Sequence, residues 1–300
     1  MKKTINTSLL FILSFISQIG FSQEYLEEFY KYLDTNDTIN QVKILEKWKS
    51  EEPNDPELFT SYFNYHFNKS RKEVLALTND QPNDDSLIIK DSLNQNVGFI
   101  GSQVVFDEKE LQKGLDKIDE GIQRYPNRLD MRFGKIYALG QIYKWNDFAS
   151  EIIQTVKYST KNNNNWTWTK NKKYEGGQKE FLLSIQSYQL QLYNTGDDAL
   201  LKHVQDIANT ILNYYPNHIE SLSNLSITYL VAKEYDKAIA VLLRAEKITP
   251  DDPVILGNLA HGYKLKGNKK KAIEYYKKLA KHDKEDVKAF AKKQITELNQ

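Results

Sequence analysis

The sequence predicts an all-α fold, a solenoid of stacked helical hairpins that carries a small β-hairpin insertion. The first observation is a repeat: Ile219–Asp252 and Pro253–Asp286 carry one pattern, so that Leu222 recurs as Leu256, 34 positions later. The second is that apolar residues within each copy recur at the spacing of one helical face. The third is a series of helix-closing prolines earlier in the chain. Units of this length bury their apolar faces only by stacking on one another.

Each of the two copies has the pattern of a pair of helices. The inward-facing positions of the first copy are Leu222, Leu225, Ser226, Tyr229, Ala238, Ile239, Leu242 and Ala245. Those of the second copy are Leu256, Leu259, Ala260, Tyr263, Ala272, Ile273, Tyr276 and Leu279. Small residues in both sets let the paired helices approach closely. A last amphipathic helix, residues 287–300, has Phe290 and Ile295 on one side and many lysines on the other, as a capping helix requires.

Residues 23–218 carry the same pattern in a weaker form. The expected helical pairs are residues 25–33 with 42–48, 56–67 with 108–124, 129–143 with 147–156, and 184–193 with 199–212. Pro53, Pro126 and Pro216 each follow one of these helices, where proline prevents the helix from continuing. We therefore interpret this part of the chain as degenerate copies of the repeat, which brings the total to about five or six helical pairs.

Two insertions interrupt the series, at about residues 69–106 and 158–177. In the first, Leu87–Lys90 and Val97–Ile100 flank an Asn-rich turn, which predicts a small β-hairpin packed on the solenoid. The second insertion is polar and Asn-rich and contains several lysines, which indicates a long surface loop. The aromatic residues of this loop are Trp166, Trp168 and Tyr174.

Residues 1–22 have the composition of a signal peptide. Lys2 and Lys3 precede the apolar stretch Leu9–Phe21, and small residues follow near Ser22, where cleavage is expected. The apolar stretch is shorter than the roughly 20 residues that a membrane-spanning helix needs, although an uncleaved N-terminal anchor is the alternative. We expect an exported protein, periplasmic or secreted, with no membrane span after cleavage.

The composition argues against several classes of activity. Without Lys2 and Lys3 the 41 basic side chains become 39, against 40 acidic ones, and this balance does not favour nucleic-acid binding. The chain has no Cys, so it has no thiolate metal site, and its five His residues lack metal-ligand spacing. No phosphate-binding loop and no nucleophile elbow is present in the sequence. We therefore expect no enzymatic activity, no cofactor and no metal.

The repeated pattern resembles the tetratricopeptide repeat. The copy at Ile219 matches that family's pattern at Leu225, Ser226, Tyr229, Ala238, Ala245 and Pro250, with Leu222 in the place of the usual Trp. The copy at Pro253 matches at Leu259, Ala260, Tyr263 and Ala272, and departs at Leu279 and Lys284. The resemblance implies a solenoid whose concave groove is lined by the first helix of each unit and binds a protein or peptide.

The resemblance also implies which residues line the groove. They are Asn224, Ile227, Leu230, Val231, Asn258, His261, Leu265, Lys288 and Lys292. Four of them, namely Asn224, Asn258, Lys288 and Lys292, are similar to the carboxylate clamp with which co-chaperone tetratricopeptide domains hold a peptide's C-terminus. Glu220 departs from that clamp, because the clamp has Lys there and an acid would repel a carboxylate.

The expected function is therefore that of a non-enzymatic scaffold or adaptor of the cell envelope. It would bind a protein or peptide partner of unknown identity, with Asn224 and Asn258 orienting the partner's backbone. The alternative is a carbohydrate or cell-wall binding accessory protein whose loop rings, at Trp166, Trp168 and Tyr174, stack on sugars. The same rings could instead fold back and cover apolar surface of the solenoid.

Overall fold

The computed structural model describes residues 23–81 and 84–300. The residues 1–22, for which we predict a signal peptide, lie outside this part. The described chain forms two compact units. Unit 1 extends to Ile142 and also includes Thr167–Lys173, and unit 2 comprises Tyr143–Trp166 and Tyr174–Gln300. Within the described residues, no helix is both long and apolar enough to cross a membrane.

Unit 1 combines five helices with the strands of both insertions. Helix α1 covers residues 23–34. The other elements are α2 (Thr38–Glu51), α3 (Pro56–Ser70), β1 (Arg71–Thr78), β2 (Leu87–Lys90), β3 (Asn96–Phe106), α4 (Glu108–Arg124), α5 (Leu129–Gln141), β4 (Thr167–Trp168) and β5 (Lys172–Lys173).

Unit 2 is helical in its described elements. They are α6 (Trp145–Lys161), α7 (Gly177–Asn194), α8 (Leu201–Tyr214), α9 (Ile219–Val231), α10 (Tyr235–Ile248), α11 (Pro253–Leu265), α12 (Lys269–Leu279) and α13 (Glu285–Asn299). The prediction of stacked helical hairpins with a β insertion is confirmed.

The core of unit 2 is formed by the repeated apolar positions of α9 to α12. Leu242 and Leu259 are fully buried, and Ala238, Ala260 and Ala272 are each 0% exposed. The alanines occupy positions where adjacent helices meet, and a larger side chain would hold those helices apart. The small residues of the repeat therefore serve close helix packing.

Helices α3 and α4 of unit 1 pack against each other although the β insertion separates them in sequence. Glycine allows this approach: a Cβ on Gly121 would lie 2.9 Å from the Cβ of Phe59 and 3.0 Å from the Sδ of Met131. At Gly114 a Cβ would lie 3.1 Å from the Cβ of His66. The hairpin expected across the insertion is thus formed through two glycines on one face of α4.

The first insertion is larger than the predicted hairpin. The expected β2–β3 pairing is present, but β1 adds a third strand and the order is β1-β3-β2, with both neighbours antiparallel to β3. The expectation that the insertion packs on the solenoid is wrong, because most strand residues are exposed and only Gly98 and Gly101 are buried. The sheet extends from the ends of α3 and α4 instead.

The second insertion also differs from a simple loop. Strands β4 and β5 pair through Thr167 with Lys173 and Trp168 with Lys172, around a single 3-10 turn. Lys170 within that turn has a positive φ of 60°. This conformation directs its backbone N–H toward a buried carboxylate described below.

The glycine contact between α3 and α4 makes a testable prediction. Gly121→Ala should lower the free energy of unfolding by about 1–3 kcal/mol, because the new methyl group overlaps Phe59. Gly134→Ala in α5 is the matched control, since its Cβ would meet the nearest atom of Phe63 at 3.5 Å, an ordinary contact. It should raise the free energy of unfolding by up to about 1 kcal/mol through helix propensity. Urea unfolding followed by circular dichroism measures both; equal effects would contradict the packing described.

Candidate functional site

A depression of unit 2 lies between α11 and α13. It has a volume of about 750 Å³, and we call it the α11–α13 groove. Its lining residues are Pro253, Val254, Gly257, Asn258, His261, Lys264, Tyr276, Leu279, His282, Lys284, Asp286, Val287, Phe290 and Gln294. A depression of this size matches the usual volume of binding sites for small ligands or for a few residues of a peptide.

Helix α11 has a buried apolar face and an exposed face that lines the groove. Asp252 caps its N-terminus by accepting hydrogen bonds from the backbone N–H groups of Val254 (2.8 Å) and Ile255 (3.1 Å). Ile255 and Leu259 then face the core, with 1% and 0% exposure. The opposite face is thereby left to line the groove, and Val254 on it is 58% exposed.

Helix α13 forms the other wall of the groove. Ala291 is its one fully buried residue, and Phe290 packs edge to face on Tyr276 with ring centroids 6.2 Å apart. Phe290 holds the repeat position of Leu256, 34 residues earlier. Leu256 is 4% exposed, whereas Phe290 is 52% exposed and faces the groove. An aromatic ring in a core position of the repeat is thus available to a ligand.

Lysine and histidine side chains outnumber acidic side chains around this groove. His261, Lys264, His282 and Lys284 line it, together with the single carboxylate of Asp286. The Lys264 Nζ donates a hydrogen bond to the Oε1 of Gln294 at 2.8 Å, which holds the ammonium group near the wall of α13. Burial, and secondarily the charge of Lys264, lowers the pKa of His261 below its ordinary value. His261 is therefore neutral at pH 7 and takes up a proton only in more acidic solution.

Asn224 and Asn258, which hold the same position in the two repeat copies, connect neighbouring helices. The Asn224 amide donates to the Oε1 of Gln189 at 3.2 Å, and the Asn258 amide donates to the Oγ of Ser223 at 3.3 Å. Both bonds span 35 residues, so the same contact recurs between α7 and α9 and between α9 and α11. Each amide makes no other hydrogen bond within the described residues, so its oxygen can still accept one from a ligand.

A second depression in unit 2 lies between α7 and α9, and we call it the α7–α9 groove. It has a volume of about 330 Å³. Its lining residues are Leu183, Gln186, Ser187, Gln189, Leu190, Tyr193, Val204, Asn224 and Ile227. Leu183, Leu190 and Tyr193 are 51%, 55% and 45% exposed, which makes this an apolar surface open to solvent.

The structure divides the groove residues that the sequence indicates. Asn258 and His261 line the α11–α13 groove, and Asn224 and Ile227 line the α7–α9 groove. The remaining residues of the set, which line neither of these two depressions, are Leu230, Val231, Leu265, Lys288 and Lys292.

Each of these five has a different environment. Leu230 contacts α11 beside Gly262, and Val231 and Leu265 are both 41% exposed. Lys288 forms an ion pair with Glu285 at 2.7 Å, and Lys292 is exposed. The carboxylate-clamp arrangement is therefore not assembled around either depression. Glu220, the departure from that clamp, lies 3.2 Å from the Nε2 of His218.

The aromatic residues of the second insertion have separate environments. Trp166 is 1% exposed in unit 2 and packs on Phe181 and Tyr158, with ring centroids 5.6 Å and 5.7 Å away. Trp168 in unit 1 is 37% exposed and lies edge to face on Phe133. Tyr174 is half-buried. The ring of Trp166 is a core residue and is not accessible to a sugar.

Unit 1 contains a buried ion cluster that the sequence did not predict. The Arg128 guanidinium, 1% exposed, donates to Glu57 at 2.6 Å and 3.2 Å and to Asp130 at 2.8 Å and 2.7 Å. Glu57 also accepts the backbone N–H of Lys170 at 2.7 Å. The cluster joins residues up to 113 positions apart and holds the 3-10 turn of the second insertion against α3. The two carboxylates pair with the guanidinium, which a charge buried this deeply requires.

Among the residues that the structure describes, no group of three or more His, Asp or Glu side chains is arranged to hold a metal ion.

Comparison with known families supports the repeat assignment. Residues 255–288 match the family model described as "Tetratricopeptide repeat". That segment contains α11, α12 and the start of α13, whose helical-hairpin packing is given above. This segment of the chain is a tetratricopeptide repeat. Proteins with this repeat generally act as non-enzymatic scaffolds that bind other proteins.

Similar solved structures are also tetratricopeptide repeat proteins. One from Thermus thermophilus has 16% identity, covers 62% of this chain and 91% of its own, and has a TM-score of 0.37. One from Parabacteroides merdae has 12% identity, coverage of 92% and 88%, and a TM-score of 0.36. The complex of the TPR2AB domain of yeast Sti1 with pHSP90 has 9% identity, coverage of 94% and 99%, and a TM-score of 0.32. A search of curated protein sequences found no match.

The electrostatics of the groove make a testable prediction. Lys264→Met should raise the pKa of His261, because it removes the ammonium group beside the ring, yet that pKa should stay below the ordinary value of about 6.5 because burial persists. Lys284→Met, on the other wall of the groove, should leave the pKa of His261 unchanged. NMR titration of the imidazole nitrogens measures both variants. An unchanged value in Lys264→Met, or equal shifts in the two, would contradict the assigned cause.

Proposed function

We propose that this tetratricopeptide repeat protein is a non-enzymatic scaffold of the cell envelope that binds a protein or peptide segment in the α11–α13 groove. The observation that carries the proposal is the combination of an exposed apolar floor with a polar rim. Val254, Val287 and Phe290 supply apolar surface, and the side chains of Asn258 and Lys264 supply hydrogen-bonding groups beside it. Binding sites for peptides commonly have this composition.

The groove favours a segment with an apolar side chain followed by hydrogen-bond acceptors. An apolar side chain of the partner would lie against Val254 and Phe290, whose burial supplies the affinity. The partner's carbonyl or carboxylate oxygens would accept hydrogen bonds from Lys264, Lys284 or the Asn258 amide. Asp286 sits on the same rim and disfavours a segment with a high density of acids.

Stacking of the helices keeps the groove in shape. The bond from Asn258 to Ser223 links α11 to α9, and the bond from Asn224 to Gln189 links α9 to α7. These contacts fix the spacing of the helices whose outer faces line the two depressions. A site on rigid helices loses less conformational entropy on binding than one on loops. We assign Asn224 and Asn258 this positioning role, and Asn258, which lines the α11–α13 groove, contact with the partner as well.

The cellular location in this proposal comes from residues 1–22. Their basic start and apolar stretch favour export, and a protein with such a leader would act in the periplasm or outside the cell. In the carbohydrate-binding alternative Trp166 cannot stack on a sugar, because its ring is buried. Trp168 is the exposed ring on which that alternative now depends.

A substitution on one face of α11 tests the proposal. Peptides that bind the full chain are first selected from a random displayed library. Val254→Asp should then weaken the affinity of these peptides about tenfold or more, because a charged side chain replaces part of the apolar surface of the groove. Leu265→Asp is the matched control: Leu265 lies on the same helix and is 41% exposed, but is outside the groove. Its affinity should equal that of the wild type.

Two other outcomes would count against this proposal. Equal affinities of the three proteins, or equal losses in both variants, would remove the α11–α13 groove as the binding site. Saturable quenching of Trp fluorescence by cell-wall fragments that Trp168→Ala abolishes, with no selected peptide, would favour the carbohydrate alternative instead.

A further inference from the structure

The β insertion of unit 1 has an open edge. Strand β1 pairs along its full length with β3 and with no other strand in the described part of the chain. Its outer side therefore presents unpaired backbone groups. Leu75 and Leu77 on this strand are 81% and 71% exposed. Exposed apolar edges of this kind are sites where a further strand adds to a sheet.

The register shows which residues form that edge. The Asp107 N–H donates to the Ser70 carbonyl at 2.8 Å, which continues the β1–β3 ladder and marks this pair as hydrogen-bonded. Hydrogen-bonded pairs alternate along an antiparallel ladder, so the even-numbered residues of β1 direct their backbone groups toward β3. Glu73, Leu75 and Leu77 then direct theirs outward.

The second half of this edge, after the charged residues Arg71, Lys72 and Glu73, lacks the features that usually prevent strand addition. Residues 74–78 have the sequence Val-Leu-Ala-Leu-Thr, without a charge or a proline, and the pairing of β1 shows no register shift. Strand β2, at the opposite edge, is four residues long, shifts register after Ile89 and ends at Lys90. Short length, irregularity and a lysine protect β2 in the way that natural sheets protect their edges.

We propose that β1 pairs antiparallel with β1 of a second copy of this chain, about a two-fold axis at Ala76. Leu75 then lies opposite Leu77 of the partner subunit, and their outward backbone groups form hydrogen-bonded pairs on both sides of the axis. The small Ala76 meets its own copy at the close, non-hydrogen-bonded position. Two three-stranded sheets become one sheet of six strands.

Side-chain chemistry selects this register. If the pairing continues two residues past Thr78, into the bend that follows β1, Lys72 falls opposite Asp80 of the partner subunit, so opposite charges meet near each end of the paired segment. Lys72 also forms an ion pair with Asp107 of its own chain at 3.3 Å. A two-fold axis at Leu75 would instead place Glu73 opposite Leu77 of the partner subunit. Leu77, Ile100 and Leu87 form a row across one face of the sheet, because they are register partners through β3. The pairing extends that exposed apolar face across the axis.

The pairing leaves room for the helices. Helix α3 ends at Ser70, six residues before Ala76. At about 3.4 Å per residue, the ends of α3 in the two copies lie roughly 40 Å apart along the paired strands. The new contact therefore involves the insertion and does not require movement of the helical pairs.

A register-specific crosslink tests the proposal, because the chain contains no Cys. In Ala76→Cys the two new thiols would have Cα atoms about 4.5 Å apart, within disulfide range. In Thr78→Cys, on the same strand and face and likewise half-buried, they would be roughly 14 Å apart. With copper–phenanthroline as oxidant, Ala76→Cys should form covalent dimer at least about tenfold faster than Thr78→Cys.

Light scattering after size-exclusion chromatography supplies the second measurement. The wild type should elute as a dimer at high concentration, and Leu75→Lys with Leu77→Lys should shift it to monomer. Leu87→Lys, on the same face but on β2, is the matched control and should stay dimeric. A monomeric wild type, a dimer that survives the double substitution, or equal crosslinking of the two cysteine variants would overturn the proposal. Circular dichroism confirms that each variant is folded.

Discussion

Paired helices in this protein approach each other at positions that leave no space for a large side chain, and both units are built on that contact. In unit 2 the alanines Ala238, Ala260 and Ala272 are fully buried between helices, and in unit 1 Gly121 meets Phe59. Because this close packing recurs in each repeat, each helix also leaves an exposed face on the side away from the packing. The bonds from Asn224 and Asn258 to the preceding helix, each spanning 35 residues, are a second consequence of the same stacking. The grooves lie where those outer faces meet.

Local sequence pattern predicted the parts of the fold that depend on local spacing. The pairs α9–α10 and α11–α12 follow from apolar and small residues at helical intervals. Strand β1 did not follow, because Arg-Lys-Glu-Val-Leu-Ala-Leu-Thr contains mostly residues that are also compatible with a helix. Its extended state depends on pairing with β3, whose partner residues, such as Phe106 for Arg71, are distant in sequence. The Arg128 cluster was missed for the same reason, since Glu57 lies 71 residues away.

The candidate site was predictable on one wall only. Asn258 and His261 on α11 follow from the repeat register and line the groove. On α13 that register indicates Lys288 and Lys292, yet Phe290 and Gln294 line the groove instead. The reason is physical: Phe290 holds the position of the buried Leu256 but is half exposed, so a core position of the repeat becomes a surface of the site. Sequence periodicity identifies the position but not whether another element covers it. Trp166 shows the reverse case, a ring in a polar loop that is fully buried.

We propose two separate binding surfaces on the chain: the α11–α13 groove for a peptide segment and the edge of β1 for a second copy. Hydrogen–deuterium exchange of the full chain, read by mass spectrometry, tests both assignments in one measurement. A bound peptide should slow exchange in Pro253–Leu265 and Glu285–Asn299 and leave Arg71–Thr78 unchanged. A higher protein concentration should slow exchange in Arg71–Thr78 alone. Peptide-dependent protection confined to Arg71–Thr78, with none in the two groove helices, would contradict both assignments.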